Sequence, residues 1–163
     1  MNNTNLLKTG FVNERFRYYE KLVAELTMMS DMFMRNVLNI LECAEYVLRV
    51  ITENDDLELT EVVVQKDYKN LQGRSAVLDC VAVTGRKEIY DIEVQQEKAG
   101  AGPKRLRYHS SIIDAHSLFA GEDFEKLPES KVIFIVDEES DAGVEPILHI
   151  KRTVRETGGD YND

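Results

Sequence analysis

An aspartate in one apolar stretch and a Glu-x-Gln in the next are the residues of this chain best suited to chemistry. Asp79 lies within Ser75-Ala76-Val77-Leu78-Asp79-Cys80-Val81-Ala82-Val83, and Glu93-Val94-Gln95 closes Glu88-Ile89-Tyr90-Asp91-Ile92-Glu93-Val94-Gln95. The Thr84-Gly85-Arg86-Lys87 segment between them has turn composition, so the two stretches read as arms of one hairpin. Alternation along a strand puts Asp91, Glu93 and Gln95 on one face and Tyr90, Ile92 and Val94 on the other. Cross-strand pairing then brings Asp79 towards Glu93. Two carboxylates on a mostly buried sheet are costly unless something positive sits between them, and a divalent metal is the natural candidate. Carboxylate-bound metal can activate a water and neutralise charge on phosphoryl oxygens, which is what phosphodiester hydrolysis needs.

The neighbouring residues each carry two readings. Asp79 and Glu93 are metal ligands, or surface acids on an exposed strand face. Gln95 is a neutral amide that donates and accepts hydrogen bonds, enough to orient a water but weaker than an ammonium. Lys98 either reaches the site from the strand's end or is a solvated loop lysine, and Asp91 is a further acidic ligand or a solvent-facing acid. Arg105, Arg107 and Tyr108 open the next helix, where arginine can bind phosphate bidentately and a helix N-terminus favours an anion; the bland alternative is an exposed basic turn. Ser30-Asp31 reads first as a helix cap. His109 and His116 have no Cys or third His nearby and are not expected to grip zinc. Gly100-Ala101-Gly102 lacks the rest of a phosphate-binding fingerprint, and loop flexibility explains it.

The elements that must position these residues follow from periodicity. Phe16, Tyr19, Leu22, Val23 and Leu26 recur at helical spacing between Val12 and Met29. A second helix is expected from Ser30-Asp31 through Phe33, Val37, Leu38, Leu41, Tyr46, Val47, Leu48 and Ile51, packed against the sheet and ended by Glu53 to Asp56. A strand from Leu57 to Gln65, a loop from Lys66 to Gly73 and the hairpin come next. Pro103 suits the first turn of a helix running to Phe119, and Lys131 to Val136 reads as a strand. Pro146-Ile147-Leu148-His149-Ile150 is a candidate edge strand.

With 163 residues, 43% of them apolar, the chain suits one folded domain with a real core. Its longest apolar runs fall far short of a membrane span, and the first residues lack a secretory plan. Cys43 and Cys80 read as buried free thiols of a reducing compartment, so a cytoplasmic protein is expected. A net charge of −10 argues against a dedicated nucleic-acid binder. Positive charge is nevertheless concentrated at Lys104-Arg105-Leu106-Arg107, beside the Glu-x-Gln strand, where it could engage phosphates in a salt-dependent way.

Four segments in order carry a resemblance: Arg74-Ser75-Ala76-Val77-Leu78-Asp79, Tyr90-Asp91-Ile92-Glu93-Val94-Gln95, Arg105-Leu106-Arg107-Tyr108-His109-Ser110-Ser111-Ile112-Ile113-Asp114 and Lys131-Val132-Ile133-Phe134-Ile135. From about Ser30 onward the chain resembles the PD-(D/E)XK nuclease superfamily, in its transposase or recombination-promoting nuclease branch, where glutamine often replaces the lysine. The resemblance implies an α/β (α+β) fold with a restriction-endonuclease-like αβββαβ core: a mixed central sheet flanked by helices, here preceded by an N-terminal helical extension over 1–29. It implies a Mg²⁺-dependent DNA endonuclease, with Mn²⁺ as substitute, in which Asp79 and Glu93 hold the metal, the Val94 carbonyl adds a ligand and Gln95 places the water. Arg105, Arg107 and Tyr108 would contact phosphate, Asp31 would match an acidic position on the first helix, and DNA and a second copy of the chain would be the partners. Branch members often continue further, so a truncated or minimal version is expected. The missing lysine, the acidic charge and the short C-terminus also suit a catalytically silent interaction module, and a toxin-like nuclease acting on RNA is a third reading.

Overall fold

Four strands form one sheet in chain order: β1 (Leu59–Tyr68), β2 (Ala76–Thr84), β3 (Ile89–Gln95) and β4 (Ser130–Val136). The fold comes from a computed structural model that describes residues 3–27, 29–70, 73–95, 98–137 and 146–161, with backbone alone described at 3–13, 31, 98 and 99. The strand pairs β1/β2 and β2/β3 are antiparallel, and β3/β4 is parallel. A parallel pair needs a crossover, supplied here by the helix α4 (Pro103–Ser117). Ahead of the sheet come α1 (Asn3–Ala24), α2 (Asp31–Leu38) and α3 (Leu41–Thr52). From α3 onward the order is therefore helix, three strands, helix, strand, with a mixed sheet: an α+β architecture.

Helices cover both faces of the sheet, each with its own core. On one side Met34, Leu38, Ala44 and Leu48 of α2 and α3 pack on Leu59, Cys80, Ala82, Tyr90 and Ile92. On the other, Ile112 and Ile113 of α4 pack on Tyr68, Leu78 and Val81. A β3 sandwiched this way is buried on both faces, so every side chain from Tyr90 to Glu93 is buried, acids included. Polar ties fix α3 to the sheet as well: Arg49 Nε donates to the Leu57 carbonyl at 2.9 Å, and Glu45 accepts from the Leu59 N–H at 3.0 Å.

Several element boundaries differ from the sequence reading. The single helix expected from Ser30 to Ile51 is two, because Ile40 is extended (φ −93°, ψ 115°) and starts α3 afresh after Asn39 caps α2. That break lets both short helices turn an apolar stripe to the same sheet face. Ser30 stands at the expected cap position, but its hydroxyl accepts from the Thr27 N–H instead of capping α2. The strand β1 runs on to Tyr68, through part of the expected loop, because Tyr68 is buried against α4. The first helix begins at Asn3 and ends at Ala24, ahead of the expected span, and its side chains from Glu14 to Glu25 are all exposed. Pro146–Ile150 forms no strand; Leu148 and Ile150 are exposed, and among the described residues the only pairing nearby is an isolated bridge between Thr153 and Asp160. Glu53, in the left-handed region at φ 52°, ends α3 at the acidic stretch as expected. Both cysteines are free thiols, Cys80 fully buried, and burial pushes its thiol up to about 12. No described helix is long and apolar enough to cross a membrane.

Candidate functional site

The β2/β3 ladder stops one residue short of Asp79 and Glu93. It runs Val83↔Ile89, Ala82↔Tyr90, Val81↔Asp91 and Cys80↔Ile92, and the next rung would join Asp79 to Glu93. Side chains take over that rung. The Asp79 N–H donates to Glu93 Oε1 at 2.8 Å, and the Val94 N–H donates to Asp79 Oδ2 at 3.3 Å. On the other side of Asp79, Gln65 Nε2 donates to Asp79 Oδ1 at 3.1 Å. Gln65 sits in the left-handed region at φ 53°, which a residue with a side chain adopts only at a cost of about 1 kcal/mol or more. The in–out alternation of β2 also breaks at Asp79: Cys80 and Ala82 face the α2/α3 core, whereas Leu78 joins the α4 core. The sheet is thus locally reshaped around the two carboxylates.

Beyond Glu93 the site extends to α4, which lays Arg105 and His109, one turn apart, over the acidic face of β3. All three guanidinium nitrogens of Arg105 are engaged. Its Nη2 donates to Glu93 Oε2 at 2.8 Å, and Nη1 donates to Gln95 Oε1 at 2.8 Å and to the Gly100 carbonyl at 3.0 Å. Its Nε lies 3.3 Å from His109 Nε2. Arginine only donates, so that imidazole nitrogen must accept, which leaves the ring proton on Nδ1. Nδ1 then donates to Asp91 Oδ2 at 2.9 Å. Phe134 of β4 lies under both groups, with Arg105 stacked 5.5 Å from the ring centroid.

Charge at the site is out of balance. Asp79, Asp91 and Glu93 are three carboxylates, the last two fully buried, against the single guanidinium of Arg105. Burial pushes the Glu93 carboxyl up to about 7, with the Asp91 charge adding to the rise and the Asp79 N–H opposing it. Burial likewise raises Asp91, against the pull of its His109 hydrogen bond. Asp91 Oδ1 is buried with no hydrogen-bond partner. A proton or a cation relieves such a site, and a divalent cation supplies the two missing charges at once.

Asp91, Glu93 and His109 bring two carboxylate oxygens and a ring nitrogen within 4.8 Å of one another, all buried, the one such group among the described residues. Both His109 nitrogens are engaged, Nδ1 donating to Asp91 and Nε2 accepting from Arg105, so the ring could ligate a cation only by giving up one of those bonds. Asp79 stands outside that group and meets Glu93 edge-on through its own N–H. His109, set aside as a ligand from the sequence, therefore belongs to the site; its signal was its position four residues after Arg105, on the same helix face. Gln65 was also missed, because nothing in a run of β-branched residues announces a left-handed turn of the backbone.

The expected phosphate-contacting residues part company. Arg105 joins Glu93 and Gln95, whereas Arg107 is exposed two positions along the helix, on a different face. The Tyr108 hydroxyl donates to the Arg74 carbonyl and accepts from Asn70 at 3.4 Å, tying α4 to the β1–β2 connection. His116 performs a similar task, each ring nitrogen facing a carbonyl, Ile112 at 2.8 Å and Lys69 at 2.9 Å. The side chains of Lys98 and Asp31 lie outside the described residues. No protein-family model, curated protein or solved structure matches this chain.

Proposed function

We propose that this chain is a metal-dependent endonuclease that hydrolyses DNA phosphodiesters, of the PD-(D/E)XK transposase-like type, with a role in DNA recombination or mobile elements. The observation that carries the reading is the carboxylate-for-backbone exchange at Asp79 and Glu93, on a strand pair followed by a basic helix start. Asp79 and Glu93, with the Val94 carbonyl, would hold a Mg²⁺ or Mn²⁺ ion, which when bound supplies charge neutralisation and an acidified water. Arg105 balances one carboxylate charge and fixes the orientation of Gln95, and its positive charge favours an incoming phosphate. Arg107, exposed on the same helix, adds favourable charge at longer range.

Supercoiled plasmid and a single-stranded RNA, incubated side by side with Mg²⁺ or Mn²⁺, test the reading. Nicking of the plasmid by the wild type, lost in Asp79→Ala and in Glu93→Ala, is the expected outcome. Equal cleavage by all three proteins removes the assignment, and cleavage of RNA alone moves it to a ribonuclease.

One observation favours a second reading, a nuclease-like fold serving as a binding module without turnover. Arg105 already occupies one oxygen of Glu93 at 2.8 Å, and glutamine stands where the superfamily's lysine would. A module of that kind binds no Mn²⁺ and nicks nothing.

A further inference from the structure

Gln95 carries no charge, yet its amide is not left to choose its own orientation. Arg105 Nη1 donates to Gln95 Oε1 at 2.8 Å, and because arginine cannot accept, the carbonyl end of the amide must face the guanidinium. The amino end therefore faces away from it and has only hydrogens to offer. Donation from a cation also draws electron density towards Oε1 and makes the amino hydrogens more acidic, as hydrogen bonds in a chain polarise one another. An amide held this way has two properties of an ammonium: towards a ligand it only donates, and positive charge stands directly behind it.

The surroundings are built for that contact. Arg105 is anchored from the other side by Glu93 Oε2, the Gly100 carbonyl and His109, and His109 by Asp91, so the guanidinium has little freedom to leave Gln95. Gly100 supplies the space. A Cβ at this position would lie 2.4 Å from Gln95 Oε1 and 3.2 Å from Cδ, so any side chain there drives the amide off Arg105. The Arg105 side chain is 39% exposed, leaving room for a ligand to approach.

We infer that Arg105 and Gln95 form one oxyanion-binding unit, in which Arg105 positions and polarises the Gln95 amide so that its amino group donates to a phosphoryl oxygen. Gln95 is the residue that touches the anion; Arg105 is a positioning residue with its own charge held one bond behind. Under this assignment Gln95 holds phosphate oxygen and does not accept a proton from the attacking water. The unit rests on the nuclease reading for its substrate and on a cation at the carboxylates to offset their charge; only the direction in which the Gln95 amide donates follows from the local geometry alone.

Inorganic phosphate titrated in excess Mg²⁺ into the ¹⁵N-labelled full chain tests the unit without any cleavage. The Gln95 side-chain NH₂ resonances and the Arg105 Nε–H resonance are expected to shift together along one binding curve. In Arg105→Met the Gln95 response should disappear. Because that variant leaves Glu93 buried without its partner and can fail to fold, Gly100→Ala is the second arm: it displaces only the tip of a flexible side chain, and should weaken phosphate binding about tenfold or more with the melting temperature little changed. A Gln95 amide that ignores phosphate in the wild type, or responds equally in Gly100→Ala, overturns the unit.

Plasmid nicking then places it in the reaction. Gln95→Leu should slow nicking by about 100-fold, the scale for losing one oxyanion donor, and Gln95→Lys should restore it. If nicking is present and dependent on Asp79, but Gln95→Leu leaves it untouched, the unit has no part in it and the inference falls. If the wild type does not nick, the nuclease reading fails and the phosphate titration alone decides the unit.

Discussion

The backbone N–H of Asp79 donates to Oε1 of Glu93 at 2.8 Å, a side chain standing in for a backbone acceptor. The bond makes Glu93 part of the sheet and of the site at once. It also means that the proton on Glu93 and any cation compete for a carboxylate already committed to the backbone and to Arg105.

Stability should fall as pH rises towards neutrality. The folded Glu93 carboxyl titrates at about 7, above the ordinary glutamate value of about 4.3, so between these limits the folded chain binds more protons than the unfolded one. The stabilisation from this group is complete below the unfolded value and is lost as pH rises through about 7. Raised Asp91 acts in the same direction. Urea unfolding in EDTA from pH 4.5 to 8 should show a loss on the order of 3 kcal/mol, much reduced in Glu93→Gln. A flat profile in the wild type contradicts the buried, protonatable Glu93.

His109 should matter more for stability than its neighbours on α4. Its Nδ1 donates to Oδ2 of the buried Asp91 side chain at 2.9 Å, and the other oxygen of that carboxylate has no partner. His109→Ala should destabilise by about 3 kcal/mol in chemical denaturation, as for a buried acid deprived of its partner. Asp91→Asn placed on top of it should return part of that loss, because the residual charge is gone. Additive losses in the double variant would show that the two side chains act independently.

Gln65 offers a test of the reshaped strand. Glycine relieves the left-handed backbone at φ 53° but surrenders the hydrogen bond to Asp79, two effects of about 1 kcal/mol each and opposite sign. Alanine surrenders the bond and keeps the strain. Thermal unfolding should therefore rank Gln65→Gly above Gln65→Ala by about 1 kcal/mol, with the wild type close to the glycine variant. Alanine equal to glycine would mean that the strand does not hold that conformation.

The hairpin, its turn and the convergence of Asp79 on Glu93 were legible because strand alternation and register are local rules, and Cys80↔Ile92 carries them up to the site. Pro103 at the start of α4 was legible for a similar reason, since a proline tolerates that position and few others. What escaped was set by tertiary packing. Nothing near Ile40 in the sequence marks the break between α2 and α3, which answers to the shape of the sheet face. His109 could be joined to Asp91 only once α4 was laid across β3, and Arg105 could be told from Arg107 only once the helix phase was known. The apolar stripe of α1 was read correctly as helical, but periodicity says nothing about burial, and its side chains are exposed.

Calorimetric titration of Mn²⁺ into the wild type, Asp79→Ala and Glu93→Ala at pH 8, where Glu93 has shed most of its proton, addresses the shared cation most directly. One ion bound per wild-type chain, with the heat abolished in both variants, is the expected result. A wild type that binds nothing, or an Asp79→Ala variant that binds as the wild type does, contradicts it.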